Sequence, residues 1–326
     1  MGQTHPSKPA TPSPSIETFP YGTDHSLQTV TVATLNNDNK EGYWVILIHG
    51  GAWRDPTQTA TNYLTPALST LTSNPSYTNN TSHLKGIASI SYRLSPHPSH
   101  PQDPQTTEPT HLRAAKHPDH ISDVQSALSF LQGKYNIGRN YILVGHSCGA
   151  TLAFQSVMGR FRDLLKGEEI LPPPVGIVGM AGIYDLRLLR DTHRSVSAYQ
   201  VFSEGAFGAD EAVWDEVSPA LGRGEEGVCG GWSGIGDGDR LVAVLAYSGG
   251  DSLVDPGQRE VMRKALEEEW VGGGRGSEER VVEMLDIEGD HNDAWEKGED
   301  LARAISFAIE KVRVHYVPSV SVPDRN

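Results

Sequence analysis

The residues best suited to chemistry lie around Ser147, in the run ILVGHSCGATLAF (142–154). Gly145 and Gly149 stand two residues before and after this serine, which gives the pattern G-x-S-x-G. Apolar β-formers precede the pattern and helix formers follow it, so we expect the serine at a tight strand-to-helix turn. Glycines avoid the clashes that a Cβ would make there, and the start of a helix favours negative charge. The pattern therefore predicts a nucleophilic serine.

A serine hydroxyl needs a base and an orienting acid to act as a nucleophile. His291, in IEGDHNDAW (287–295), lies between an apolar run and the last predicted helix, and we expect it to be the base. Two acids compete in YSGGDSLVDPGQ (247–258). We favour Asp251, just after its strand, over Asp255, which beside Pro256 is well placed to cap a helix.

The run VILIHGGAWRDP (45–56) ends an early strand in the motif HGGAW (49–53). It could be a plain turn. With a nucleophilic serine in the same chain, it is better interpreted as a source of backbone N–H groups for the oxyanion of an acyl-transfer reaction. We expect the N–H groups of Gly51, Ala52 and Cys148 to be these donors. The side chain of Cys148 should point away from the turn.

The elements that must position these residues follow from hydrophobic patterning. Two stretches have an apolar helical stripe: Ile121, Val124, Leu128 and Leu131 in the first, and Leu301, Ile305, Ala308, Ile309 and Val312 in the second. The first apolar run alternates like a half-exposed edge strand, and the later runs are continuously apolar like strands buried on both faces. The runs are 27–35, 43–48, 86–91, 141–145, 175–180, 241–247 and 281–287.

Alternation of strands and helices predicts an α/β fold with a mostly parallel central sheet covered by helices on both faces. Residues 184–220 are helical in character and are expected to form a small cap. We expect one domain over 21–316, a disordered N-terminal tail over 1–20 and a C-terminal tail over 317–326. Pro/His-rich or Gly-rich surface loops are predicted at 95–120, 222–240 and 272–279.

Composition excludes several classes of function. The 326 residues carry a net charge of −14, which argues against nucleic acid and anionic membranes as partners. No apolar run approaches the roughly 20 residues needed to cross a bilayer. Two cysteines and the lack of a secretory signal predict a cytoplasmic protein without a disulfide framework.

Together these motifs resemble those of an α/β hydrolase of the hormone-sensitive-lipase-like kind and, more narrowly, of the fungal kynurenine formamidases (arylformamidases). The resemblance rests on HGGAW, which matches the family's HGGxW, and on GHSCGA, AGIYDL, GGDSLVD and GDHND. It extends from about residue 20 to 315. The resemblance implies hydrolysis of N-formyl-L-kynurenine to L-kynurenine and formate, a step of tryptophan breakdown towards NAD. It also implies Ser147, Asp251 and His291 as the catalytic triad.

We expect Trp53 and Tyr184 to supply an apolar wall for the aryl group, with packing in the core or a loop as the alternative. No cofactor and no metal are expected, although the insertion contains His97, His100 and His111. A homodimer is the assembly that the resemblance suggests. Two other functions stay open: a carboxylesterase for short acyl esters, and a hydrolase-fold binding protein without catalysis.

Overall fold

A computed structural model describes residues 14–162, 164–165, 170–233, 240–273 and 279–313. Its centre is one eight-stranded sheet in the order β1-β2-β4-β3-β5-β6-β7-β8. Strands β1 and β2 are antiparallel to their neighbours, and β3 to β8 pair in parallel. The strands are β1 Ser15–Pro20, β2 Thr29–Thr34, β3 Tyr43–Ile48, β4 Leu84–Ile90, β5 Tyr141–His146, β6 Gly176–Met180, β7 Arg240–Ser248 and β8 Glu279–Ile287.

The continuously apolar runs are explained by burial on both faces of the sheet. In β3, Trp44, Ile46 and Ile48 belong to one hydrophobic cluster, and Val45 and Leu47 belong to the other. Successive side chains of a strand point to opposite faces, so a strand between two helical layers must be apolar at every position. This is the mostly parallel α/β arrangement that the sequence predicts.

Helices cover both faces. Helices α1 and α11 pack on one side, where Leu64, Leu68, Leu301 and Ile305 join the same cluster. Helices α3 and α4 pack on the other side. The helices are α1 Ala60–Ser73, α2 Thr78–Thr81, α3 Asp119–Tyr135, α4 Cys148–Gln155, α5 Leu186–Thr192, α6 Ala198–Phe207, α7 Glu211–Val217, α8 Val228–Gly231, α9 Pro256–Ala265, α10 Asp293–Glu296 and α11 Glu299–Arg313.

Helices α5, α6 and α7 form the segment expected to be a cap. Asp185 caps α5 by accepting from the N–H of Leu188, and Asp210 caps α7 by accepting from Ala212. Trp214 of α7 is fully buried. The cap is therefore anchored by apolar packing as well as by capped helix starts.

The structure corrects three details of the prediction. Residues Ser15–Pro20, predicted to be disordered, form β1, because their backbone pairs along the whole length of β2. For the same reason β2 is not an edge strand. The Gly-rich segment 222–240 is not all surface loop, since Trp232 is fully buried and stacks on Trp270 with ring centroids 4.4 Å apart.

Several predicted segments lie outside the described residues. These are the tails over 1–13 and 317–326 and parts of the two Gly-rich loops, 234–239 and 274–278. Within the described ranges, no helix has both the length and the apolar content to span a bilayer.

Candidate active site

The candidate residues converge because they all follow parallel strands. HGGAW follows β3, Ser147 follows β5, Asp251 follows β7 and His291 follows β8. The carboxyl ends of parallel strands meet at one edge of the sheet, which is where α/β proteins place their sites. Residues far apart in sequence are thereby brought to one rim.

Ser147 sits at the strand-to-helix turn between β5 and α4. Its backbone has φ 54° and ψ −123°, a conformation that non-glycine residues rarely adopt. A Cβ on Gly145 would overlap the carbonyl of Gly149, and one on Gly149 would overlap the carbonyl of Ile48. The two glycines of the motif are therefore needed for the close approach of α4 to the sheet.

The imidazole of His291 is held by the carboxylate of Asp251. His291 Nδ1 lies 2.8 Å from Asp251 Oδ2, and both side chains are almost fully buried. Asp251 Oδ1 accepts from the N–H groups of Leu253 and Val254, each at 2.9 Å. Both oxygens are thus engaged, so the carboxylate is fixed and Nδ1 carries the proton. In this tautomer Nε2 is the ring nitrogen that can accept a proton.

Asp255, the competing acid, has a different position. Its Oδ1 accepts from the N–H of Gly257 at 2.9 Å and caps α9. The structure brings Asp251, and not Asp255, to His291.

The loops after β7 and β8 are joined by Asp290. Its Oδ1 accepts from the N–H of Ser252 at 2.9 Å and from the N–H of His291 at 2.8 Å. Hydrogen bonding from the hydroxyl and N–H of Ser252 lowers the pKa of Asp290 to about 2, so it is a carboxylate at neutral pH. Asp290, which sequence reasoning missed, fixes the backbone of His291 relative to that of Asp251.

The HGGAW loop has an unusual backbone. Gly51, Ala52 and Trp53 have φ values of 96°, 49° and 60°. Non-glycine residues rarely adopt positive φ, so this run makes a tight turn directly after β3. Gly51 and Ala52 line the same cavity as Ser147 and His291.

The thiol of Cys148 lies beneath this loop. Its Sγ accepts from the N–H of Trp53 at 3.3 Å and lies 3.6 Å from Tyr92 Oη. Burial raises the pKa of Cys148 to about 11. The thiol is therefore an unreactive packing group.

A hydrogen-bond chain that sequence reasoning missed links the three loops. Gly50 N–H donates to Tyr63 Oη at 3.0 Å, Tyr63 Oη lies 2.7 Å from His146 Nδ1, and His146 Nε2 lies 3.0 Å from the carbonyl of His291. A carbonyl only accepts, so Nε2 of His146 is protonated. The hydroxyl of Tyr63 lies between two acceptors, because it is also 2.9 Å from Gln58 Oε1. Burial holds the pKa of His146 well below its usual value, so this imidazole is neutral. We call the set Gly50, Tyr63, His146 and His291 the base-positioning chain.

The site opens into a cavity of about 310 Å³. This volume is at the lower end of the range for small-molecule sites, about 300–1,000 Å³. Ser147, His291, Gly51 and Ala52 all line it. Among the described residues, no hydrogen bond joins the hydroxyl of Ser147 to His291. The apolar lining residues are Ile183, Val196, Ala198, Tyr199, Phe202, Leu253 and Val254. The other polar lining residues are Arg54, Asp55, Gln58, His97 and Asn292.

The predicted aromatic wall of Trp53 and Tyr184 is wrong. Trp53 is 0% exposed and packs edge-on against Phe207, and Tyr184 is 2% exposed and packs edge-on against Phe154. Both belong to the core, as the alternative interpretation held. The aromatic side chains that line the cavity are Tyr199 and Phe202 of the cap helix α6. The sequence analysis could not place them, because a cap docks through tertiary contacts.

The His-rich insertion does not assemble a metal-binding cluster within the described part of the chain. His120 is instead buried, with Nε2 3.1 Å from Ser95 Oγ. His97 lines the cavity described above.

The sheet order is that of the α/β-hydrolase fold, and solved structures bear this out. An inhibited esterase B from Lactobacillus rhamnosis superposes with a TM-score of 0.58 at 14% identity, covering 92% of this chain and 84% of that one. A truncated carbohydrate esterase from gut microbiota gives a TM-score of 0.57 at 15% identity, covering 94% and 100%. At these identities the likeness establishes the fold alone.

Curated relatives place the chain more narrowly. A kynurenine formamidase-like hydrolase, fscH, of Fusarium equiseti is 40% identical over 296 residues, 89% of this chain and 88% of the relative. Kynurenine formamidase avaC of Aspergillus versicolor is 31% identical over 310 residues, 88% of this chain and 98% of the relative. No family model matches the chain. The chain belongs to the kynurenine formamidase family, which confirms the resemblance predicted from its motifs.

Proposed function

We propose that this protein hydrolyses N-formyl-L-kynurenine to L-kynurenine and formate, with Ser147 as nucleophile, His291 as base and Asp251 as acid. Family membership supports the substrate. The observation that carries the mechanism is the 2.8 Å contact between Asp251 and His291 at the rim of the cavity that Ser147 lines. In this proposal the product enters the route from tryptophan towards NAD.

The first half of the reaction forms a formyl-enzyme. Ser147 Oγ attacks the formyl carbon while Nε2 of His291 takes the hydroxyl proton. The N–H groups of Gly51, Ala52 and Cys148 stabilise the oxyanion of the tetrahedral intermediate. Asp251 stabilises the imidazolium and keeps its Nδ1 proton in place.

The second half restores the enzyme. The imidazolium of His291 gives its proton to the departing arylamine, the C–N bond breaks, and L-kynurenine leaves. Water, deprotonated by the same nitrogen, then attacks the formyl ester of Ser147, and formate is released. An arylamine is less basic than the amine of a peptide, so a triad of this kind can expel it.

The test is formate release from N-formyl-L-kynurenine by purified protein, with Ser147→Ala as control. We expect turnover by the wild type and a loss of about 10³-fold or more in kcat for the variant, since the nucleophile is removed. Unchanged turnover by Ser147→Ala would exclude the mechanism.

The same assay separates the alternative functions. A carboxylesterase would hydrolyse p-nitrophenyl acetate with a far higher kcat/KM than N-formyl-L-kynurenine. A binding protein would turn over neither compound. We expect the formamide to be the better substrate.

The location proposed for this reaction is the cytoplasm. Both cysteines, Cys148 and Cys229, are free thiols. Free thiols fit a reducing compartment.

A further inference from the structure

Arg54 directly follows the HGGAW loop and lines the cavity beside Ser147 and Ala52. Its guanidinium has five donors and is always charged. Within the described ranges it makes no ion pair and no side-chain hydrogen bond. Other arginines of the chain do have carboxylate partners. Arg93, for example, binds the carboxylate of Asp123 with three nitrogen–oxygen contacts of 2.8–3.0 Å. Arg54 is half-buried, and its guanidinium nitrogens are not among the buried polar atoms that lack a partner, so its donors reach the solvent.

The surroundings of Arg54 hold the guanidinium without neutralising it. Its Cζ lies 5.6 Å from the ring centroid of Phe202, which is a cation–π contact. The adjacent carboxylate of Asp55 is turned to its own loop, where Oδ1 accepts from the N–H and the hydroxyl of Thr57 at 2.9 and 2.7 Å. Burial lowers the pKa of Arg54. A bound anion would relieve this desolvation.

The other polar groups of the cavity do not supply that anion. His97 also lines the cavity, and burial, followed by the charge of Arg54, lowers its pKa. Gln58 and Asn292 are neutral amides. The cavity therefore has an apolar wall and a nucleophilic end, with one cation facing the space between them.

We propose that Arg54 is a specificity-determining residue that binds the carboxylate of the substrate by a charge-assisted, two-pronged hydrogen bond. The ligand class is an aryl compound whose side chain bears a free carboxylate. This inference rests on the proposed function, because N-formyl-L-kynurenine has its reactive formamide on the ring and its carboxylate on the amino-acid side chain. Guanidinium and carboxylate match in planar geometry, which an ammonium does not reproduce.

The experiment measures binding in the Ser147→Ala background, so that it does not depend on turnover. Calorimetric Kd values are compared for L-kynurenine and for kynuramine, the same arylamine without the carboxylate. The quantity of interest is the ratio of the two Kd values. Because hydrogen bonds to charged groups contribute more than neutral ones, we expect Arg54→Met to lower the preference for the carboxylate by about 10- to 100-fold. Arg54→Lys should restore part of it, since a charge remains but the planar fork is lost.

Arg194→Met is the matched control. Arg194 is exposed in the turn between α5 and α6, near Val196 of the cavity wall, and does not line the cavity itself. Arg194→Met changes the net charge by the same amount as Arg54→Met, but outside the cavity. We therefore expect Arg194→Met to leave the ratio of the two Kd values unchanged. Equal binding of the two ligands by the Arg54-containing protein, or a ratio that Arg54→Met does not change, would overturn the inference. Failure of formate release by the wild type would instead count against the proposed function.

Discussion

At the residue scale, the centre of the site is a carboxylate with no freedom to turn. The side chain of Asp251 is fully buried. One carboxylate oxygen contacts the imidazole of His291, and the other accepts hydrogen bonds from two backbone N–H groups. Fixed in this way, it selects the tautomer of His291 that has a free Nε2. In the proposed mechanism, Asp251 therefore acts by orientation as well as by charge.

This arrangement predicts the effect of Asp251→Asn. The amide preserves the volume, but its NH2 group can face Nδ1 and favour the tautomer that is protonated on Nε2. We expect kcat for the formamide to fall by about 10³- to 10⁴-fold with little change in KM. The measurement is steady-state formate release by both proteins at equal concentration.

Asp255→Asn is the control for that experiment, four residues along the same loop. Asparagine caps a helix about as well as aspartate, so α9 keeps its N-terminal cap. We expect turnover close to that of the wild type. If both variants lost activity equally, damage to the loop, and not loss of the acid, would explain the first result.

The sequence was informative about single residues wherever a motif fixes the backbone. Ser147, Asp251 and His291 each follow a strand, and the carboxyl ends of parallel strands share an edge, so their convergence is predictable. Trp53 and Tyr184 show the opposite case. Both residues lie next to motif loops in the sequence, but this position does not determine where a side chain points. Both side chains point into the core. Asp290 was within a quoted motif, but its role depends on the approach of a second loop.

At the scale of elements, the base-positioning chain connects four separate parts of the fold. Tyr63 belongs to α1, His146 ends β5, Gly50 follows β3 and His291 follows β8. Tyr63 also stacks on Trp295 of α10, with centroids 4.3 Å apart. The hydroxyl of Tyr63 thus connects the HGGAW loop to the loop of His291, through His146, the residue before Ser147.

We predict that Tyr63→Phe impairs positioning more than binding. Phenylalanine keeps the stacking on Trp295 but leaves the N–H of Gly50 and Nδ1 of His146 unpaired. Small displacements of a base have large effects on rate, so kcat should fall by about 10- to 100-fold while KM changes little. The unsatisfied buried groups should also lower the free energy of unfolding by about 1–3 kcal/mol.

Tyr141→Phe separates these two effects. Tyr141 is equally buried, and its hydroxyl donates to the carbonyl of Pro172 at 2.7 Å, on β5 but at the end away from Ser147. We expect a similar loss of stability, measured by urea unfolding, with kcat unchanged. If kcat fell equally in Tyr63→Phe and Tyr141→Phe, general destabilisation of the fold would explain the loss of activity, and the positioning role of Tyr63 would be excluded.

Element types and order were largely predictable, because seven apolar runs matched seven strands in position. The exceptions have a common cause. Strand β1 has a burial pattern that is mostly exposed, so it lacks the apolar pattern that marks a strand, and it is ordered by pairing with β2. Trp232 lies in a Gly-rich stretch and becomes core only because Trp270 is beside it. Neither the pairing of β1 with β2 nor the stacking of Trp232 on Trp270 is indicated by the sequence around the residues involved.

At the scale of the whole molecule, the interior contains several neutral imidazoles. Burial lowers the pKa of His49 to about 4 and that of His117 to about 4, and it lowers the pKa of His120 to about 3. An unfolded chain would protonate each of them near pH 6.5. The unfolded state therefore binds more protons than the folded state at mildly acidic pH, and stability must fall there.

His120 allows a test of this linkage. It is 1% exposed, and its Nε2 donates to Ser95 Oγ, whose own proton goes to the carbonyl of Ala115. Because its folded pKa lies below its unfolded pKa, its contribution is complete above about pH 6.5 and is lost as pH falls towards 3. Between pH 6.0 and 5.0, this one residue should make the free energy of unfolding fall by about 1.2 kcal/mol.

The comparison is between the wild type, His120→Gln and Ser95→Ala, each unfolded in urea from pH 6.5 to 5.0. Glutamine can still reach Ser95 but takes up no proton, so the pH slope of that variant should be shallower by the equivalent of one proton. Ser95→Ala removes the hydrogen bond and keeps the imidazole, so it should lower stability at every pH while leaving the slope steep. Parallel curves for the wild type and His120→Gln would mean that this histidine is not neutral in the fold, and the acid sensitivity would then have to come from other groups.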